Sequence, residues 1–153
     1  MKTALFAVLL LSVADCFADC SSDAVVAVKF MNQYLAYTQS VMAKRSQQSA
    51  QSWLKSNILV SPDFLEAYKA KELEGLKLDA ELGWDADMIF DAQDFPDKGF
   101  QFFRCSKTAG FVQLQGTDWP DFKVTVRVAT TPQGINVVGA GMVNISKSER
   151  SVR

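Results

Sequence analysis

Apolar and polar positions change their spacing along this chain, and each change marks a different element. Behind Met1-Lys2 lies an almost unbroken apolar run over residues 5–13, with Phe6, Val8, Leu9, Leu10 and Leu11. Over residues 22–43 the spacing is helical. Val28, Met31, Leu35 and Met42 form one row, and Phe30, Tyr34, Tyr37 and Val41 form a second beside it. Two adjacent rows make a face too wide for solvent, so this helix needs a sheet or other helices to cover it. Ser21 and Ser22 are its candidate caps, and Asp23 suits the positive end of the helix dipole.

Residues 44–52 are polar and rich in Ser and Gln, which predicts an exposed connection or a frayed helix end. Trp53, Leu54, Ile58, Leu59 and Val60 follow as a short apolar segment. Ser61-Pro62-Asp63 then reads as a helix start: Ser as cap, Pro in the first turn, an acid beside the dipole. This helix is expected to turn Phe64, Leu65, Tyr68 and Leu73 inward and to weaken near Gly75. Its Lys/Glu pairs read as a solvated face.

From about residue 100 the spacing becomes two. Residues 100–105 and 111–115 read as strands, and Phe122, Val124, Val126 and Val128 alternate with Lys123, Thr125 and Arg127. Thr131-Pro132-Gln133-Gly134 has Pro second and Gly fourth, which predicts a type I turn and hence a hairpin. The returning strand, residues 135–145, contains Gly139 and Gly141, which suggest a bulge or bend. Residues 147–153 read as a disordered tail. Helices followed by an antiparallel meander give an α+β domain with helices on one face of the sheet. A bent sheet of this kind wraps a long helix and leaves a cleft between them.

The first apolar run is too short to span a bilayer of about 30 Å. With a positive start before it and small residues after it, the run reads as a signal peptide over residues 1–18, followed by one α+β domain over 19–146. The alternative, a buried first helix, leaves that order of features unexplained. Cuts after Ala14 and after Ala18 both fit. Cys16 and Cys20 raise lipid attachment, but Asp15 and Asp19 stand where a small residue is needed. Cleavage after Ala18 leaves Cys20 and Cys105, an even pair that reads as a disulfide in an oxidising compartment. The alternative for Cys105 is a plain buried thiol. The expected location is the periplasm or the exterior, as a soluble protein with no stable membrane insertion once the signal is removed.

The 153 residues contain no histidine at all, which excludes Ser-His-Asp and Cys-His nucleophile systems and His-bound zinc. The net charge of −1 supplies no basic field to attract phosphates, so nucleic acid is not expected as a partner. No cofactor is indicated.

The stretch that carries candidate chemistry runs from Gly83 to Asp97 as Gly-Trp-Asp-Ala-Asp-Met-Ile-Phe-Asp-Ala-Gln-Asp-Phe-Pro-Asp, five aspartates among aromatics. Its Asp-x-Asp and Asp-Ala-Gln-Asp-Phe-Pro runs, with a helix pair before and a hairpin after, resemble an uncharacterised bacterial family of exported domains over roughly residues 25–145. That resemblance implies the nuclear transport factor two-like fold, a cone of helices on a curved antiparallel sheet of about four strands. It implies no reaction, because the family has no established activity.

Asp85, Asp87 and Asp91 could offer oxygens to calcium, but the EF-hand order fails: Ile89 sits where an acid or amide belongs and no spaced Glu closes the loop. A metal is not expected. Turn-shaping acids, with Trp84, Ile89, Phe90 and Phe95 anchoring the loop to the core, are the plainer reading. A buried carboxylate can also act as acid or base. Candidates are Asp85, Asp87, Asp91 and Asp94, with Tyr34 or Tyr37 from the long helix. Gly139-Ala140-Gly141 lacks the third glycine and following helix of a phosphate loop, and a bulge explains it better.

The expectation for function is an exported, non-enzymatic binding or interaction domain. It would take a small molecule or a protein through the cleft or through Trp84, Asp85, Asp87, Asp91, Asp94 and Phe95. One concrete version is an inhibitor or immunity-type protein. The alternatives are a small periplasmic enzyme using carboxylate acid-base catalysis and a structural envelope component.

Overall fold

The computed structural model describes residues 20–151. The expected signal peptide with its two cut sites, Cys16, and the last two residues of the expected tail lie outside the described residues. Within them the order is α1 (Ser21–Met42), α2 (Ala50–Ser56), α3 (Pro62–Leu78), then β1 (Phe100–Cys105), β2 (Phe111–Gly116), β3 (Lys123–Thr131) and β4 (Gly134–Ala140). The fold is α+β: three N-terminal helices packed on a four-strand antiparallel sheet ordered β1-β2-β3-β4.

α1 buries Ala24, Ala27, Phe30, Met31, Tyr34 and Leu35, the i, i+3, i+4 face that its sequence predicts. Val41 and Met42, in the last turns of the helix, are exposed. Neither Ser21 nor Ser22 caps it. The boundary residue is Cys20, whose carbonyl accepts from Ala24 N–H at 2.8 Å. The disulfide described below fixes that boundary.

The polar stretch before Trp53 is not only a connection. Ser49 accepts from Ser52 N–H and starts α2, which buries Leu54. α3 begins as its sequence predicts, with the Ser61 hydroxyl accepting from Phe64 N–H at 3.1 Å and Pro62 in the first turn. Its buried row runs Phe64, Tyr68 and Gly75. Leu73, expected inward, lies off that row and is 60% exposed. The helix also runs past Gly75 to Leu78, because Trp84 packs on the bare Gly75 backbone: a methyl there would sit 2.5 Å from the Trp84 ring. Lys69–Glu66 and Lys71–Glu74 pair at i, i+3 on the solvent side, as expected.

In the sheet, Val112 faces Val126 and Leu114 faces Val124, placing their side chains on the helix-covered face. Two register slips, at Phe103 in β1 and Val138 in β4, kink the outer strands. With the bends confined to the edges, the sheet is not strongly curled, a flatter surface than the expected cone.

β4 stops at Ala140, short of the expected residue 145. Gly141 takes φ +57° and passes against the backbone of Met88 and Ile89, where a side chain would not fit. Thr125, expected on a solvent face, is buried, because the chain returns over it. Its hydroxyl donates to Glu149 C=O at 3.0 Å, and Arg150 reaches the carbonyls of Met142 and Ile145. That returning stretch is the described part of the expected tail.

Cys20 and Cys105 are joined, with their Cα atoms 6.0 Å apart, so the bond fastens the start of α1 to the end of β1. Among the described residues no helix is long and apolar enough to cross a membrane.

Candidate functional site

The acidic segment folds as a plug between α1, α3 and the end of β4. Trp84 donates its indole N–H to Lys71 C=O at 2.6 Å, and the Lys71 ammonium lies 4.5 Å from the Trp84 ring centre. Asp87 and Ala92 exchange both backbone hydrogen bonds and pinch residues 87–92 into a loop, which Asp91 completes at φ +56°. Ile89 and Phe90, at its tip, are fully buried. Phe90 stacks on Phe95 at 4.2 Å between ring centres and touches Tyr34 at 5.0 Å.

Asp87 holds the loop's centre. One carboxylate oxygen accepts from Ile89 N–H at 2.9 Å and Phe90 N–H at 2.8 Å, and the other accepts from the Tyr34 hydroxyl at 2.7 Å. Burial pushes the Asp87 carboxyl above its ordinary value, and the hydrogen bonds from Phe90, Tyr34 and Ile89 oppose that shift. Burial also raises the Tyr34 hydroxyl well above its usual range, and the neighbouring Asp87 charge adds to it. Tyr68 is raised by the same two causes. Tyr34 is therefore a fixed donor, and Asp87 a fixed acceptor with three donors already in place.

Of the other residues expected at a site, Asp85 and Asp94 are exposed and Asp91 is half-buried. The loop does not bring these four acids to one point. Among the described residues no group of three or more acidic or thiol side chains converges in a way that could hold a metal ion. The second tyrosine, Tyr37, donates to Gln48 C=O instead of to an acid. A side cleft of about 240 Å³ does collect Asp87, Glu72, Tyr68 and Trp84 under Leu76 and Leu82. In it the Glu72 carboxylate already accepts from the Gln51 amide.

A larger concavity lies elsewhere. Between α1 and β1 runs an open groove of about 960 Å³, walled by Val25, Val28 and Lys29 on the helix and Phe102 on the strand. The Cys20–Cys105 bond sits in its lining. Val25 is 68% exposed and Phe102 46%, so large apolar side chains stand open to solvent along both walls. β1 is the free edge of the sheet.

Asn32 positions the two walls. Its side-chain N–H donates to Phe100 C=O at 2.9 Å, and its oxygen accepts from Phe100 N–H at 2.7 Å. The sequence signals for this groove are quiet ones: an amide inside an apolar helical row, and Val25 and Phe102 at the margins of their faces. Nothing in either pattern says that the two margins meet.

No family model, curated protein or solved structure matches the chain.

Proposed function

We propose that this chain is an exported, non-enzymatic binding domain whose binding face is the groove between α1 and β1, not the acidic loop. One observation carries the reading: a concavity of about 960 Å³ with exposed apolar walls, on a chain whose most buried loop acid, Asp87, already accepts from three structural donors. Ligand clefts have this size and this mostly apolar lining with few polar groups. The signal-like N-terminus and the Cys20–Cys105 bond support an oxidising compartment, such as the periplasm or the exterior. Helices laid before a four-strand antiparallel sheet support the nuclear transport factor two-like assignment, although this sheet is flatter than that fold's cone.

The test uses Nile red, an uncharged apolar dye, with the oxidised chain. Bright, saturable binding is expected, and it is expected to fall at least tenfold in Val25→Glu and Phe102→Ser variants whose circular dichroism matches the parent. Dye binding that is absent, or indifferent to both substitutions, rules out the groove as the binding face.

A second reading, carboxylate acid-base catalysis, rests on Asp87, Glu72 and Tyr68 sharing one cleft. It requires a substrate to displace Gln51 from Glu72. On that reading Glu72→Gln abolishes turnover of an ester or glycoside probe and leaves dye binding intact. Turnover by no such probe leaves the binding reading alone.

A further inference from the structure

Resting on that binding reading, we infer that the groove takes a long-chain fatty acid, with its alkyl chain along the apolar walls and its carboxylate at Lys29. Three observations select this occupant. First, charge: Lys29 is the groove's one charged wall residue, it is exposed, and among the described residues it makes no ion pair. An anionic end group complements it, and a neutral or cationic one does not. Second, the walls are alkyl and aromatic carbon, with Ser21 and Gln101 as their only uncharged polar side chains. A peptide would bring an N–H and a C=O with every residue, and each needs a partner when covered. An alkyl chain brings none. Third, the obvious way to satisfy a peptide backbone is strand addition along the free edge of β1. Asn32 already takes both the N–H and the C=O of Phe100, so that ladder is blocked at its first rung.

Burying each methylene contributes enough to change affinity about fourfold, and an exposed ion pair changes it about two- to fivefold. Most of the affinity therefore comes from chain length, and Lys29 sets which end of the molecule lies where. Lys29→Gln keeps most of the side-chain stem and removes the charge.

The experiment displaces Nile red from the oxidised chain with the saturated acids from octanoate to palmitate, each below its micelle concentration. The alcohols of matching length run in parallel. The expected result is an affinity that rises about fourfold per methylene until the groove is filled. Each acid should bind about two- to fivefold tighter than its alcohol, and Lys29→Gln should erase that gap while leaving the alcohols unchanged. Dye that binds at the groove but is displaced by no acid overturns the fatty-acid assignment and leaves the groove reading standing. Failure of the dye itself brings down both. A gap that persists in Lys29→Gln overturns the placing of the carboxylate. Sedimentation of the parent chain as a dimer, reversed to monomer by Val25→Glu, assigns the groove to a second copy and also overturns the proposal.

Discussion

Asp87 shows how one side chain can decide whether an acidic cluster is a site or a joint. Its carboxylate gathers two backbone N–H groups of its own loop and the hydroxyl of Tyr34 from α1, fifty-three positions away in sequence. Asp87→Ala leaves those three donors without a partner, and the expected loss is about 3 kcal/mol, measured by urea unfolding. Asp87→Asn keeps one acceptor for the two N–H groups and lets the Tyr34 hydroxyl accept instead of donate, so its loss should be smaller. The pH dependence separates them further. Burial holds the native carboxyl above its ordinary value of 3.8. The native state therefore keeps the proton when the unfolded chain has released it. The stability this contributes is full below 3.8 and declines as pH rises through the native value. The stability of the parent relative to Asp87→Asn should shrink from acid to neutral pH, and a difference that grows instead would contradict the burial argument. The sequence made Asp87 and Tyr34 candidates without placing them together. Residue type identifies what can pair, but which turn of α1 faces the loop is set by how Ile89 and Phe90 enter the core.

At the level of elements, local chemistry was legible wherever it was self-contained. The Ser61-Pro62-Asp63 start of α3 and the Thr131–Gly134 hairpin follow from short-range rules and stand where those rules put them, and β3 forms as a strand although its alternation breaks at the buried Thr125. The short α2 was missed, because its cap Ser49 lies in a polar run that looks like any loop. Leu73 was misassigned because the inner row of α3 continues through Gly75, and a glycine carries no hydropathy signal for the Trp84 ring that covers it. The same reasoning predicts where the elements are most sensitive. Asn32→Ala removes both bonds to Phe100, the first residue of the edge strand, and should cost about 2 kcal/mol. Hydrogen exchange should show faster opening of β1 and little change in β3. Uniform acceleration across all four strands would mean that Asn32 supports the fold generally and not this one seam.

At the scale of the whole molecule, the cysteines were the most informative long-range signal in the sequence. Parity proposed the pair, and the structure has it. Closing a loop of 85 positions should stabilise the fold by about 3–5 kcal/mol, mostly by restricting the unfolded chain. A Cys20→Ser, Cys105→Ser double variant should lose that amount in urea unfolding, with its secondary structure retained in buffer. The flat sheet was not legible, since glycines in β4 suggest bending without saying that the bends stay at the edges. The groove was foreseen only as a generic cleft, because its walls come from α1 and β1, which lie far apart in the sequence.

The bond that fastens those walls also sets an order of events. A chain whose thiols are still reduced holds α1 and β1 together by packing and by the two Asn32–Phe100 hydrogen bonds, with no covalent tie between them. If the groove is the binding face proposed above, oxidation completes its walls, and the reduced chain should hold an apolar dye more weakly than the oxidised one.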